Sequence, residues 1–177
     1  MIKKLLLLIF VASFGINATA QKIHKMTITD VVNYFSKQND TVYVVNFWAT
    51  FCKPCNEELP DMIRIVKKYE GQKVKLLLVS LDLPEYFPAK ITSFVKKHNY
   101  QTNLAWLNES NADIFCPMID KKWSGAIPAT IIVNNKTGFK KFVEDEMKPA
   151  EFEAIIKLAI VRSTFNNYQT NPVKEPQ

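Results

Sequence analysis

Residues 42–60 read VYVVNFWATFCKPCNEELP, and this stretch decides the fold. Residues 42–48 are β-branched or aromatic almost throughout, the composition of a strand buried on both faces within a parallel sheet. Cys52-Lys53-Pro54-Cys55 follows directly. Beyond it Glu57, Glu58, Leu59, Met62, Ile63, Ile65 and Val66 recur at helical spacing up to Tyr69, where Gly71 supplies a stop and Pro60 an expected kink. A buried strand thus runs into a Cys-x-x-Cys that opens a helix. Working outward, residues 73–81 (KVKLLLVSL) form a second buried strand, and residues 88–98 a helix opened by Pro88. Residues 102–107 suggest a short strand and 109–116 a short helix. Residues 129–133 (ATIIV) are a strand, residues 134–138 carry turn chemistry, and residues 139–143 return as its antiparallel partner. A last helix starts at Pro149, with Phe152, Ile155, Ile156, Ala159 and Ile160 as its apolar stripe. Upstream, residues 28–38 place Ile28, Val31, Val32 and Phe35 on one helical face, with Thr29 as the expected cap. Helices alternating with strands, closed by a hairpin, indicate an α/β sandwich around a mixed sheet.

The ends of the chain read differently from its middle. Lys3 and Lys4, the apolar run from Leu5 to Phe14 and the small-residue stretch up to Ala20 predict a secretory signal peptide over residues 1–20, cleaved before Gln21. The apolar run is too short to span a bilayer, which takes roughly 20 residues. From Ser163 the sequence turns to Asn, Thr, Gln and Pro without periodicity, so residues 163–177 are expected to be a flexible tail. Residues 21–162 then make one domain. The net charge of +6 falls to about +4 without the two signal lysines, and the remaining lysines are scattered. No nucleic-acid partner is expected of such a surface.

Chemistry concentrates on the cysteine pair. A helix amino terminus gathers unpaired N–H groups and a partial positive charge of roughly half a unit, which favours thiolate over thiol at Cys52. Lys53 adds a nearby cation, and Pro54 suits the first turn. Cys55 lies within disulfide reach but points inward, which casts Cys52 as the nucleophile and Cys55 as the residue that resolves a mixed disulfide. A static bridge would close too short a loop to constrain the unfolded chain much. Zinc would need two further ligands, and Cys116, His24 and His98 do not stand at ligand spacing, so no metal is expected. Cys116 itself is expected to be buried, with Met118 and Trp123 beside it in the core. Trp48 is expected in the core as well.

The stretches NFWATFCKPCNEELP (Asn46 to Pro60) and GAIPATIIV (Gly125 to Val133) resemble the extracytoplasmic thioredoxin-like proteins of the TlpA and ResA type. The resemblance implies a thioredoxin-like three-layer sandwich, a mixed central sheet flanked by helices. It implies a cis peptide at Ile127-Pro128 beside the dithiol, with the Ile127 main chain pairing to an extended client. Phe51, Lys53, Pro54, Ile127 and Pro128 then form the substrate surface. Asn46 stands where thioredoxin carries a buried acid, so no carboxylate is expected there. Asp82 is the candidate acid for managing protons at Cys55, with Glu85 in reserve, while helix capping is an equal alternative for Asp82. The segment before Val42 is too short for the amino-terminal hairpin of many members, and a helix is expected in its place. The implied activity is reduction of disulfides in exported proteins of the periplasm or cell envelope. It needs client proteins, a membrane-bound upstream thiol reductant and no cofactor beyond the redox-active disulfide. A disulfide oxidase or isomerase, a non-catalytic peptide-binding module and a thiol peroxidase using Thr50 remain open alternatives.

Overall fold

The computed structural model describes residues 21–170, with side chains through residue 161; the expected signal peptide and residues 171–177 lie outside the described residues. Six strands form one sheet in the order β1-β4-β3-β2-β5-β6: β1 (Ile23–Met26), β2 (Val42–Trp48), β3 (Val74–Ser80), β4 (Asn103–Leu107), β5 (Ala129–Asn134) and β6 (Phe139–Val143). The first four run parallel, and β5 turns against β2 before β6 turns against β5. All seven residues of β2 are buried, as a strand with neighbours on both edges and helices on both faces must be.

Strand periodicity sorts the core into two layers. Val44, Trp48, Leu76 and Leu78 face α2 (Lys53–Lys68), α3 (Ala89–His98) and α5 (Pro149–Thr170). Tyr43, Val45, Phe47, Leu77 and Val79 face α1 (Ile28–Phe35) and α4 (Ala112–Ile119) on the other side. This is the expected three-layer sandwich. In α2 the residues Cys55, Leu59, Met62 and Ile65 recur at helical spacing on the sheet side, which fixes the rotation of the helix and carries Cys55 into the core.

Several local expectations are corrected. The cap of α1 is Thr27, whose hydroxyl accepts from the Asp30 amide while the Asp30 carboxylate accepts from the Thr27 amide; this reciprocal box outcompetes Thr29. Strand β1 went unpredicted because four residues reading IHKM carry no legible alternation, and parallel pairing with β4 makes them a strand. The helix expected before β2 is present alongside it. Met118 is 43% exposed, since its position on α4 faces away from the sheet, while Cys116 and Trp123 are buried as expected. Helix α5 runs on to Thr170 past the expected domain end. Its first turns are seeded by packing, and no Gly or Pro interrupts the sequence until Pro172, so elongation costs little once the helix is nucleated.

Candidate functional site

Cys52 is the residue that caps α2, with extended backbone angles, and its Sγ accepts the Cys55 amide at 3.3 Å. The helix start therefore aims an N–H at this sulfur as well as its dipole. The two cysteines form a disulfide with Cα atoms 5.3 Å apart. Both cysteines are buried: Cys55 is fully enclosed, and Cys52, expected to be exposed, keeps 7% of its surface and only just reaches solvent. Phe51 beside it is 67% exposed. Lys53 turns outward to pair with Glu57 at 3.4 Å, and with most of its side chain in water its charge is screened from the sulfur.

The peptide before Pro128 is cis, as the resemblance implies, and the Ile127 carbonyl oxygen lies 3.7 Å from Cys52 Sγ. The loop ahead of β5 thus lies against the outer sulfur. It is gripped from two sides. One oxygen of Glu144 accepts the Ser124 amide at 2.9 Å, the Ala126 amide at 3.1 Å and the Ser124 hydroxyl, and the Trp123 indole donates to the Ala126 carbonyl at 2.8 Å.

Two carboxylates are buried near the dithiol. Asp82, at the carboxyl end of β3, accepts the Thr50 hydroxyl at 2.6 Å, the Thr50 amide at 3.0 Å and the Ser80 hydroxyl at 2.8 Å. It caps no helix, because Leu83 precedes the 3-10 turn at Pro84–Tyr86. Instead it fixes the turn two residues ahead of Cys52. Glu85, the reserve acid, sits exposed on that 3-10 turn.

Glu58 reads in the sequence as one more helical residue. It lies one turn after Cys55 on α2 and is 3% exposed. Its carboxylate accepts the Asn46 amide at 2.8 Å through one oxygen and the Met147 backbone amide at 2.8 Å through the other. Asn46 also donates to the Thr130 hydroxyl at 2.9 Å, across the register that pairs these two residues. Position 46 itself carries no acid, and the carboxylate beside it arrives from the helix, twelve residues away in sequence. Burial pushes its pKa up to about 7, opposed by the Met147 and Asn46 donors and assisted by the charges of Glu146 and Asp145. A glutamate spaced three after the second cysteine, on the face that bears Leu59 and Met62, was the available signal. On the opposite side of the sheet Cys116 is buried in mid-helix, where burial raises its thiol pKa and the Glu144 and Asp113 charges add to the rise. No cluster of potential metal ligands occurs among the described residues, and no described helix is long and apolar enough to cross a membrane.

Comparison with known proteins agrees with this geometry. Residues 15–140 match the AhpC/TSA family. A relative from Halalkalibacterium halodurans, thiol-disulfide oxidoreductase ResA, is 28% identical over 90 residues, an alignment covering 51% of this chain and 46% of the relative. The match thus spans under half of that relative's length. Among solved structures, a thioredoxin-related protein from Neisseria meningitidis serogroup B superposes with a TM-score of 0.58 at 22% identity, covering 74% of this chain and 90% of that one. A secreted Mycobacterium tuberculosis disulfide oxidoreductase superposes with a TM-score of 0.51 at 19% identity, covering 68% and 84%. These likenesses establish a thioredoxin-like fold.

Proposed function

The chain belongs to the AhpC/TSA family, and on that premise we propose that it is an extracytoplasmic thiol-disulfide oxidoreductase that reduces disulfides in client proteins. The observation that carries the reading is Cys52 at the cap of α2, bridged to Cys55 and facing the loop that ends in cis-Pro128. The name of the Halalkalibacterium relative supports the activity, and the secreted Mycobacterium protein supports export, as does the signal-like composition of residues 1–20.

In the reduced protein the Cys52 thiolate attacks one sulfur of a client disulfide, and the other client sulfur leaves as a thiolate. The Cys55 thiolate then attacks the Cys52 sulfur of the mixed disulfide. The second client thiolate departs, two electrons have passed to the client, and Cys52–Cys55 is oxidised. A membrane-bound thiol reductant restores the dithiol. Glu58 exchanges a proton with Cys55, since a buried acid with a pKa of about 7 holds or releases one near neutral pH. Asp82 acts as a positioning residue through Thr50. Phe51, Lys53, Pro54 and the Ile127 main chain offer the client an exposed aromatic, cationic and main-chain surface, and the buried Pro128 fixes the loop that carries Ile127. The same contacts favour exchange over peroxide reduction, because the Thr50 hydroxyl is committed to Asp82 and a second cysteine adjoins the first.

Insulin reduction with dithiothreitol as the reductant tests the reading. The wild type should accelerate it, Cys52→Ser should abolish the acceleration, and Cys55→Ser should accumulate a mixed disulfide that mass spectrometry detects. Full turnover in Cys52→Ser overturns the assignment. A reduction potential at the strongly oxidising end, near −120 mV and not near about −270 mV, would overturn the direction alone.

A further inference from the structure

We propose that Glu144 is a positioning residue for client recognition: its carboxylate locks the loop of residues 124–126, so that the Ile127 main chain is held ready for an extended client strand. The inference rests on the thiol-exchange reading and concerns how that site binds polypeptide.

The register of the closing hairpin brings Glu144 to this place. Val143 pairs with Thr130, so the next residue of the outer strand's path comes beside the start of β5, next to Pro128. From there one carboxylate oxygen collects the Ser124 and Ala126 amides at 2.9 and 3.1 Å together with the Ser124 hydroxyl. Gly125 between them has φ +98°, which turns the two flanking amides toward the same point. Such a concavity of successive N–H groups is an anion site, and here the anion is supplied by the protein itself. The ladder leads directly to the dithiol, since Ala126 accepts from the Trp123 indole and Ile127 presents its carbonyl 3.7 Å from Cys52 Sγ.

A clamp is needed because this loop has little burial to hold it. Ser124 and Ala126 are exposed, and even a side-chain carbon added at Gly125 would come no closer than van der Waals distance to Ala112 and Cys116. Fixing each residue's backbone costs conformational entropy. A loop released by loss of Glu144 would have to be ordered by the client, and the cost would fall on binding. The chemistry at sulfur would be spared, because the Glu144 carboxylate bonds Ser124 and Ala126 while Cys52 Sγ meets the Ile127 carbonyl and the Cys55 amide.

The test separates binding from chemistry. With dithiothreitol regenerating the dithiol, Glu144→Ala should raise the KM for insulin about tenfold. Its kcat/KM for 2-hydroxyethyl disulfide, which has no main chain to pair, should fall less than about twofold. Glu144→Gln keeps an acceptor oxygen without the charge and should give an intermediate KM; it also decides the matter if the alanine variant fails to fold. An unchanged insulin KM overturns the proposal, and so does an equal loss toward both substrates, which would mark a general structural role. If the wild type itself does not reduce insulin, the exchange reading fails instead, so the two failures are told apart by the wild type alone.

Discussion

Asp82 and Glu58 are both 3% exposed, both within reach of the dithiol segment, and built in opposite ways. Asp82 sits in a cup of donors, with an amide and two hydroxyls directed at its oxygens from Thr50 and Ser80. Glu58 receives one side-chain and one backbone donor, while Leu59, Met62 and Ile65 on the same helix face contribute only apolar surface. A buried carboxylate held by several short hydrogen bonds is a structural fastener. One with fewer donors carries an uncompensated desolvation cost and becomes a proton store. The difference separates the two acids: one holds the turn into Cys52 through Thr50, and the other is buried one helical turn after Cys55 against Asn46 and Met147.

The contrast can be broken most forcefully at Glu58. Its folded pKa of about 7 lies above its ordinary value of 4.5, so the folded state binds the proton more tightly than the unfolded state. Below about pH 4.5 the group is protonated in both states and costs nothing; as pH rises through 7 the folded protein must hold a buried charge. Wild-type stability should therefore fall by about 3 kcal/mol between pH 4.5 and pH 8 from this group. Glu58→Gln should remove that fall, with urea unfolding across the pH range as the measurement. Parallel curves for the two proteins would mean that Glu58 is not the store described.

A smaller effect is expected at Asp82. Asp82→Ala strands the buried Thr50 and Ser80 donors and should cost about 2 kcal/mol in urea unfolding. A cost below about 0.5 kcal/mol would remove the distinction between fastener and store. Smallest is the tuning by Asn46. Asn46→Leu deletes a donor to the Glu58 carboxylate and should raise the Glu58 pKa further. Carboxyl carbon NMR would follow it, and a lowered pKa would contradict the role given to the amide.

How much of this was legible in sequence depended on the range of the signal. The apolar run of β2 and the spacing of α2 are local, and both elements formed where they were read. The hairpin of β5 and β6 was equally plain, because turn residues separate two strand-like runs. Strand β1 was not, since a four-residue edge strand owes its conformation to β4, about eighty residues away. Among the site residues, the cysteines and Pro128 were legible through their motifs. Asp82 was legible as a residue but not as a partner of Thr50. Glu58 was overlooked because a glutamate inside a helix ordinarily faces water, and only the rotation of α2 shows that this one does not.

The sequence by itself determined that a buried strand would deliver Cys52 to the start of a helix, and with it the helix-terminal field that activates a thiol. Hydrophobic periodicity and helix-start chemistry act over a few residues, so the order of residues is enough to specify them. Only the tertiary structure decided which acid is buried against Asn46 and which carboxylate grips the loop before Pro128. Asn46 meets Glu58, and Glu144 meets Ser124 and Ala126, because sheet register and helix rotation bring distant residues together. Those are set by packing of the whole core, and no local pattern records them.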